Sequence, residues 1–254
     1  MRFRGNHYSI NINVPTLAKL ESEVKARFVA KRGFALATMN VDHLVKLGRS
    51  KEFAEAYAKH DLVVADGNPV VWVAKLGGDQ VELITGSDQV VPLTHWATQT
   101  ETPIALIGST TEALEKAASG LRRLVPGANI VSSISPPFGF DPQGDLAGEI
   151  LTQMKDSGAR LCFLALGAPK QEIFAARGYD MFPSIGFASV GAGLDFIAGQ
   201  QKRAPKWVRK IAMEWLWRML SNPKRMAKRY LDCAVVLPGH MSSALIQRRN
   251  KPLN

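Results

Sequence analysis
Short apolar runs alternate with amphipathic stretches over the first two hundred residues. The runs at 34–39, 62–65, 104–107, 130–133, 161–166 and 185–190 are rich in aliphatic side chains. Such runs, bounded by turn residues, predict strands of a buried sheet. Helical patterns separate them. Ser50 is placed to cap a helix running through His60, and Asn68 with Pro69 to start one ending at Leu76. Further helices are expected at 87–98, 112–124 and about 143–155, and another after Pro169. Strands alternating with helical stretches predict an α/β fold, a mostly parallel sheet with helices on both faces.

The pattern changes after Gly199. Trp207, Ile211, Trp215 and Met219 recur at i, i+4, with Val208, Ala212, Leu216 and Leu220 as the adjacent row. Lys206, Arg209, Lys210 and Arg218 fall largely elsewhere on the wheel. Asn222 and Pro223 mark a second start, followed by Lys224, Arg225, Lys228 and Arg229, with Met226 and Tyr230 at i, i+4. Two amphipathic cationic helices are therefore expected. The division is a body over 1–200 and a helical appendage over 201–254.

Charge sharpens this division. Residues 1–201 carry 19 Lys and Arg against 20 Asp and Glu, a net of −1, whereas residues 202–254 carry 13 against 2, a net of +11. Together they give the chain its +10. A near-neutral body thus bears a tail suited to an anionic partner: phosphate, nucleic acid or a lipid surface. The 46% hydrophobic content over 254 residues suffices for a sizeable core. Cys162 and Cys233 lie far apart inside apolar runs and are expected as free thiols. The first 13 residues lack the apolar region of a signal peptide, and no run reaches the roughly 20 apolar residues of a transmembrane helix.

Parallel α/β sheets bind ligands at the carboxyl ends of their strands. The residues found there are Thr38 and Asn40, Asp66 and Gly67, Gly108 to Thr110, Gly167 to Gln171, and Gly191 to Asp195. From spacing alone, Asp66-Gly67 is either a site or an ordinary Asx turn. Thr38 and Asn40 are either pocket residues or helix caps. Gly191-Ala192-Gly193 is not a dinucleotide fingerprint, since the third glycine falls on Phe196, and no P-loop is present. The five histidines are scattered, and no Asp-x-Asp pair offers a clamp for a divalent ion, so no metal site is expected.

Several of these segments together resemble the WecG/TagA/CpsF family of bacterial glycosyltransferases. They are Thr38-Met-Asn40, Ala65-Asp66-Gly67-Asn-Pro-Val-Val-Trp72, Thr85-Gly-Ser-Asp88, Ile107-Gly-Ser-Thr110, Gly167-Ala-Pro-Lys-Gln-Glu172 and Gly191-Ala-Gly-Leu-Asp195. The tail adds Arg203-Ala-Pro-Lys-Trp207, Glu214-Trp215, Arg218, Asn222-Pro-Lys-Arg225 and Arg229-Tyr230. Two departures stand out: Ala165 where glycine is frequent, and Phe140 near a position often held by tyrosine.

The resemblance implies a Rossmann-like body and an inverting, metal-independent transfer, without a cofactor, from a UDP-sugar to a sugar on a polyprenyl diphosphate. The setting would be surface polysaccharide synthesis at the cytoplasmic face of the cell membrane, by a peripheral protein able to form a homo-oligomer. Asp66 would be the general base. Thr38, Asn40, Gly67, Gly108 and Gln171 would line the substrate pocket, and Asp195 would contact the nucleoside. Arg218, Arg225 and Arg229 would neutralise the leaving diphosphate through their forked donors. Two rival functions also fit the +11 tail: a basic nucleic-acid-binding protein and a non-catalytic membrane-surface protein. Neither accounts for polar residues gathered at the strand ends of a neutral body, so no nucleic-acid partner is expected.

Overall fold
The computed structural model of the chain describes residues 1–201, 203–205, 207–208, 213–221 and 223–250; the side chains of Arg218, Ser221 and Arg225 also fall outside it. A small antiparallel hairpin, β1 (Arg2–Arg4) and β2 (Ser9–Asn11), precedes α1 (Leu17–Val29). The body then runs β3 (Phe34–Met39), α2 (Val41–Arg49), α3 (Lys51–Ala58), β4 (Leu62–Ala65), α4 (Asn68–Leu76) and α5 (Gly86–Gln99). It continues with β5 (Ile104–Gly108), α6 (Thr111–Leu124), β6 (Ile130–Ile134), α7 (Asp145–Asp156), β7 (Leu161–Ala165) and α8 (Lys170–Met181). β8 (Gly186–Ser189), α9 (Gly193–Ile197), α10 (Glu214–Ser221) and α11 (Pro223–Arg249) complete it.

The six strands from β3 to β8 form one parallel sheet in the order β4-β3-β8-β7-β5-β6. This is the expected Rossmann-like α/β architecture. Side chains alternate between the two faces, and both faces are covered. Phe34, Leu36, Leu62, Val64, Ile104, Leu106, Leu161 and Phe163 point into one core with α1, α5 and α6. Their neighbours point the other way. Ala37, Met39, Val63 and Ala65 meet α2, α3 and α4, while Ala105, Ile107, Cys162 and Leu164 meet α7 and α8. Each large side chain withdrawn from water in this way contributes about 1.5–3 kcal/mol.

Local caps account for the helix starts. Ser50 accepts from Phe53 N and starts α3, as expected. Thr16, Thr85 and Thr110 cap α1, α5 and α6 in the same way. At α4 the expected cap moves back one residue: Gly67, at φ 93°, is the cap, and Asn68 is already helical. The hairpin and α1 have no counterpart in the sequence reading. Three-residue strands carry almost no periodic signal, but Leu20, Val24 and Phe28 at i, i+4 behind Thr16 do mark α1.

The appendage differs in detail from expectation. Residues 209–212 lie outside the described residues, and Met213 is not helical. Its N–H closes onto Val208 O at 3.0 Å, while its own carbonyl accepts from Leu216 and Trp217 at 3.1 and 3.2 Å. Met213 therefore starts α10, and the rows from Trp207 to Leu220 do not share one unbroken helix. The cap expected at Asn222 lies outside the described residues. α11 packs on α2 and α4, with Ala244 buried and Cys233, Val236 and Leu237 against the same cluster as Val70 and Val71. Both cysteines are free thiols, as expected. Among the described residues no helix is long and apolar enough to cross a membrane.

Helix α8 approaches the sheet through Gly178, where an added Cβ would lie 2.5 Å from the Phe187 ring and 2.8 Å from Leu151. Gly178→Val is expected to destabilise the fold by about 1–3 kcal/mol through overpacking. Urea denaturation would show this as a lower midpoint with an unchanged slope.

Candidate functional site
The connection after β5 leaves outward to β6, while that after β7 leaves inward to β8. The chain paths diverge at these two carboxyl ends, which is where a ligand crevice opens in such sheets. The crevice is tightly built. Gly108 sits at φ 116°, and a Cβ there would lie 2.5 Å from the Ala165 carbonyl. Close backbone approach therefore explains this glycine. Ser109 follows at φ 52°, a strained conformation for a residue with a side chain. Its Oγ donates to Asp195 Oδ1 at 2.5 Å, and its carbonyl accepts from Ser135 Oγ at 2.8 Å. Gln201 Nε2 holds the other Asp195 oxygen at 2.8 Å. Asp195, in the first turn of α9, is thus fixed against the end of β5.

The ends of β3 and β4 form the second part of the edge. Thr38 is buried, and its Oγ1 lies 3.4 Å from Ser189 O. The start of α5 closes on it: a Cβ on Gly86 would lie 3.0 Å from Thr38 Oγ1. Asn40 caps α2, its Oδ1 accepting from His43 N at 3.0 Å. Asp66 follows β4, and its N–H donates to Met39 O at 2.7 Å. Asn40 and Asp66 therefore stand side by side at paired strand ends, with Asp66 half-buried. Gly67 turns the chain away at once into α4.

Behind this edge lies a buried polar cluster. Gln171 is 3% exposed and Glu172 fully buried, so neither projects onto the open edge. Gln171 Nε2 donates to Glu172 Oε1 at 2.7 Å, leaving Gln171 Oε1 and Glu172 Oε2 without partners among the described residues. His43 Nε2 lies 3.8 Å from Glu172 Oε1, and the Tyr57 hydroxyl 3.4 Å from His43 Nδ1. Burial pushes the Glu172 carboxyl up to about 7, against the Gln171 hydrogen bond. Burial likewise pulls His43 down to about 3 and His60 to about 4.

The appendage brings two arginines to the same edge. Arg203 grips Asp88 with both terminal nitrogens, at 2.5 and 2.7 Å, and lies over the Phe196 ring. Burial opposes its charge, but the hydrogen bonds and charge of Asp88, with the charges of Glu214 and Asp66, outweigh this and hold it above its ordinary range. Arg229 Nε meets Asp42 Oδ1 at 3.3 Å. The side chains of Arg218 and Arg225, two of the expected phosphate ligands, lie outside the described residues. Among the described residues, no group of three or more His, Cys, Asp and Glu is placed to hold a metal ion.

Sequence reasoning placed Asp66, Asn40, Gly108 and Asp195 at the carboxyl edge, where they are found. It gave no role to Ser109, Asp88, Arg203 or the His43–Glu172 cluster. The Arg203–Asp88 pair spans 115 residues and leaves no spacing signal. The chain matches the model of the glycosyl transferase WecG/TagA/CpsF family over residues 6–252, and it belongs to that family. It is accordingly a transferase that acts on a sugar donor and an acceptor.

The buried cluster makes stability depend on pH in two opposite ways. Unfolded Glu172 ionises near 4.5 and folded Glu172 near 7, so its contribution declines as pH rises from 4.5 to 7. Unfolded His43 and His60 take up protons below 6.5 and their folded forms only near 3 and 4, so stability also declines as pH drops below 6.5. Glu172→Gln is expected to be more stable than the natural chain at about pH 8, with the difference shrinking toward about pH 5. Urea midpoints at the two pH values measure it.

Proposed function
We propose that the chain is an inverting, metal-independent glycosyltransferase that moves a sugar from a UDP-sugar to a sugar on a polyprenyl diphosphate. It would build bacterial surface polysaccharide at the cytoplasmic face of the membrane. The observation that carries this reading is the placement of Asp66: a half-buried carboxylate at a strand end, beside Asn40 and next to the crevice. Asp66 takes the proton of the acceptor hydroxyl as that oxygen bonds to the anomeric carbon. The bond from the same carbon to the donor's diphosphate breaks on the opposite side, and UDP leaves with the electron pair. Attack from the far side inverts the centre.

The remaining roles follow from what each group has left to offer. Oδ1 of Asn40 caps α2, so its Nδ2 amide is the group available to a sugar oxygen. Thr38 and Gly67 shape the wall beside it, and Gly108 lets the backbone of β5 approach β7 closely. Ser109 and Gln201 hold Asp195 ready for the nucleoside. Gln171 is covered in the free chain, and its unpartnered carbonyl oxygen would suit a sugar hydroxyl once substrate binding uncovers it. Arg218, Arg225 and Arg229 receive the diphosphate. Arg229 meets Asp42 through Nε, which leaves its terminal nitrogens for phosphate.

Membrane contact would come from the outward face of α11. Leu231, Val235, Met241, Leu245 and Ile246 are exposed there, with Lys224 and Lys228 at one end and Arg248 and Arg249 at the other. An apolar face bounded by cations suits an anionic lipid surface.

Asp66→Asn is expected to retain UDP binding and to cut turnover by roughly 10²-fold or more, as for loss of a general base. UDP release, measured with a short-chain lipid-diphosphate-sugar acceptor, tests this, and near-normal turnover removes Asp66 from the role. Release should persist in EDTA; loss that Mg²⁺ or Mn²⁺ restores would overturn the metal-free reading. Leu231→Asp with Val235→Asp should weaken binding to anionic vesicles by about tenfold or more while sparing transfer to a soluble acceptor. Co-sedimentation with such vesicles reads the first effect.

A further inference from the structure
One carboxylate joins the appendage to the loop that carries Gln171. Asp42, in the first turn of α2, is 12% exposed. Its Oδ2 accepts from Lys46 Nζ at 2.8 Å, and its Oδ1 faces Arg229 Nε at 3.3 Å. Lys46 Nζ donates onward to Ala168 O at 2.9 Å. Ala168 lies in the turn between β7 and α8, and the turn closes with Gln171 N donating to Gly167 O at 3.1 Å. The far side of the same turn is tied by Lys170 Nζ to Phe140 O at 2.6 Å. We infer that Asp42 and Lys46 are positioning residues that register Arg229 of the appendage against the Gly167–Gln171 loop. The inference rests on the proposed roles of Arg229 and Gln171 toward the substrate.

Docking of α11 does not need this link. Arg49 grips Asp232 with two hydrogen bonds of 2.7 and 2.9 Å, joining α2 to α11 elsewhere. Cys233, Val236 and Leu237 add apolar packing. What Asp42 and Lys46 supply is orientation. Asp42 takes the Nε side of the Arg229 guanidinium, which fixes how its remaining donors are presented. Lys46 is a compact cation with three donors, enough to serve Asp42 and the Ala168 carbonyl together. Because Asp42 is mostly withdrawn from water, its hydrogen bonds are stronger than those of an exposed i, i+4 pair.

The test uses the full chain and two readouts. Hydrogen exchange at the Gln171 and Ile173 amides, which bond back to Gly167 and Pro169, reports the order of the loop. Asp42→Asn and Lys46→Met should each speed that exchange about tenfold, with Lys46→Arg restoring most of the protection. In transfer assays the same variants should lower kcat about tenfold with little change in KM for the UDP-sugar, and the double variant should be no worse than either single one. Arg49→Ala, which cuts the other α2–α11 pair, should leave loop exchange unchanged. Unchanged exchange in Asp42→Asn and Lys46→Met, or an equal effect from Arg49→Ala, overturns the inference. If the natural chain released UDP from no UDP-sugar, the proposed function would fail, and the exchange measurements would still decide whether the link exists.

Discussion
Covering both faces of a parallel sheet is the constraint on which the rest of this molecule depends. Its central strands are buried along almost their whole length, and their backbone donors and acceptors are spent on neighbouring strands. Polar side chains therefore have few places to go. At the amino edge they serve structure: Asp61 accepts from Ala35 N at 2.8 Å and pairs with Arg27. At the carboxyl edge the chain must turn repeatedly into helices, and caps, left-handed glycines and carboxylates collect there. A site at this edge is thus a by-product of the fold that particular residues then specialise.

The same constraint explains how much of the chain was legible in its sequence. Five of the six apolar runs are almost wholly buried and leave a plain signal, β6 at the sheet edge being only half-buried, and all six strands lie close to their expected bounds. Capping residues such as Ser50 were legible because their chemistry is local. Gly67 was not recognised as the α4 cap, because Asn68 beside it has the more familiar capping side chain, whereas the backbone turn needs φ 93°. The hairpin at Arg2–Asn11 was missed because three residues with one buried position carry no period. In the site, residues at strand ends were found and their long-range partners were not. Nothing near Asp88 announces Arg203, and nothing near His43 announces Glu172.

Asn40 and Gln171 each spend only one half of their side-chain amide on the fold. Asn40 is a helix cap through one atom of its amide and keeps the other. Gln171 spends its NH₂ on Glu172 and leaves its oxygen unpaired in the interior. An unpaired buried oxygen costs free energy, on the order of 1–3 kcal/mol, that an apolar side chain would not incur. Glu172 Oε2 beside it is unpartnered among the described residues as well, so two acceptors stand together in the interior.

The appendage divides its charges in a way that its composition alone could not reveal. Of its two acidic residues, Asp232 pairs chiefly with Arg49 of the body and feels Lys228 of the appendage more weakly. Arg203 and Arg229 turn inward and meet body carboxylates, Asp88 and Asp42. Lys224, Lys228, Arg248 and Arg249 remain exposed. The inward charges are partly buried against body carboxylates, so salt screens them less than the exposed ones, and they hold fixed partners. The exposed ones act across a Debye length of about 8 Å at physiological salt and can only attract. A single cationic segment therefore holds its charges in two electrostatic environments because its sites differ in burial. The Asp42 contact keeps them apart, committing Arg229 to the body while its neighbour Lys228 faces solvent.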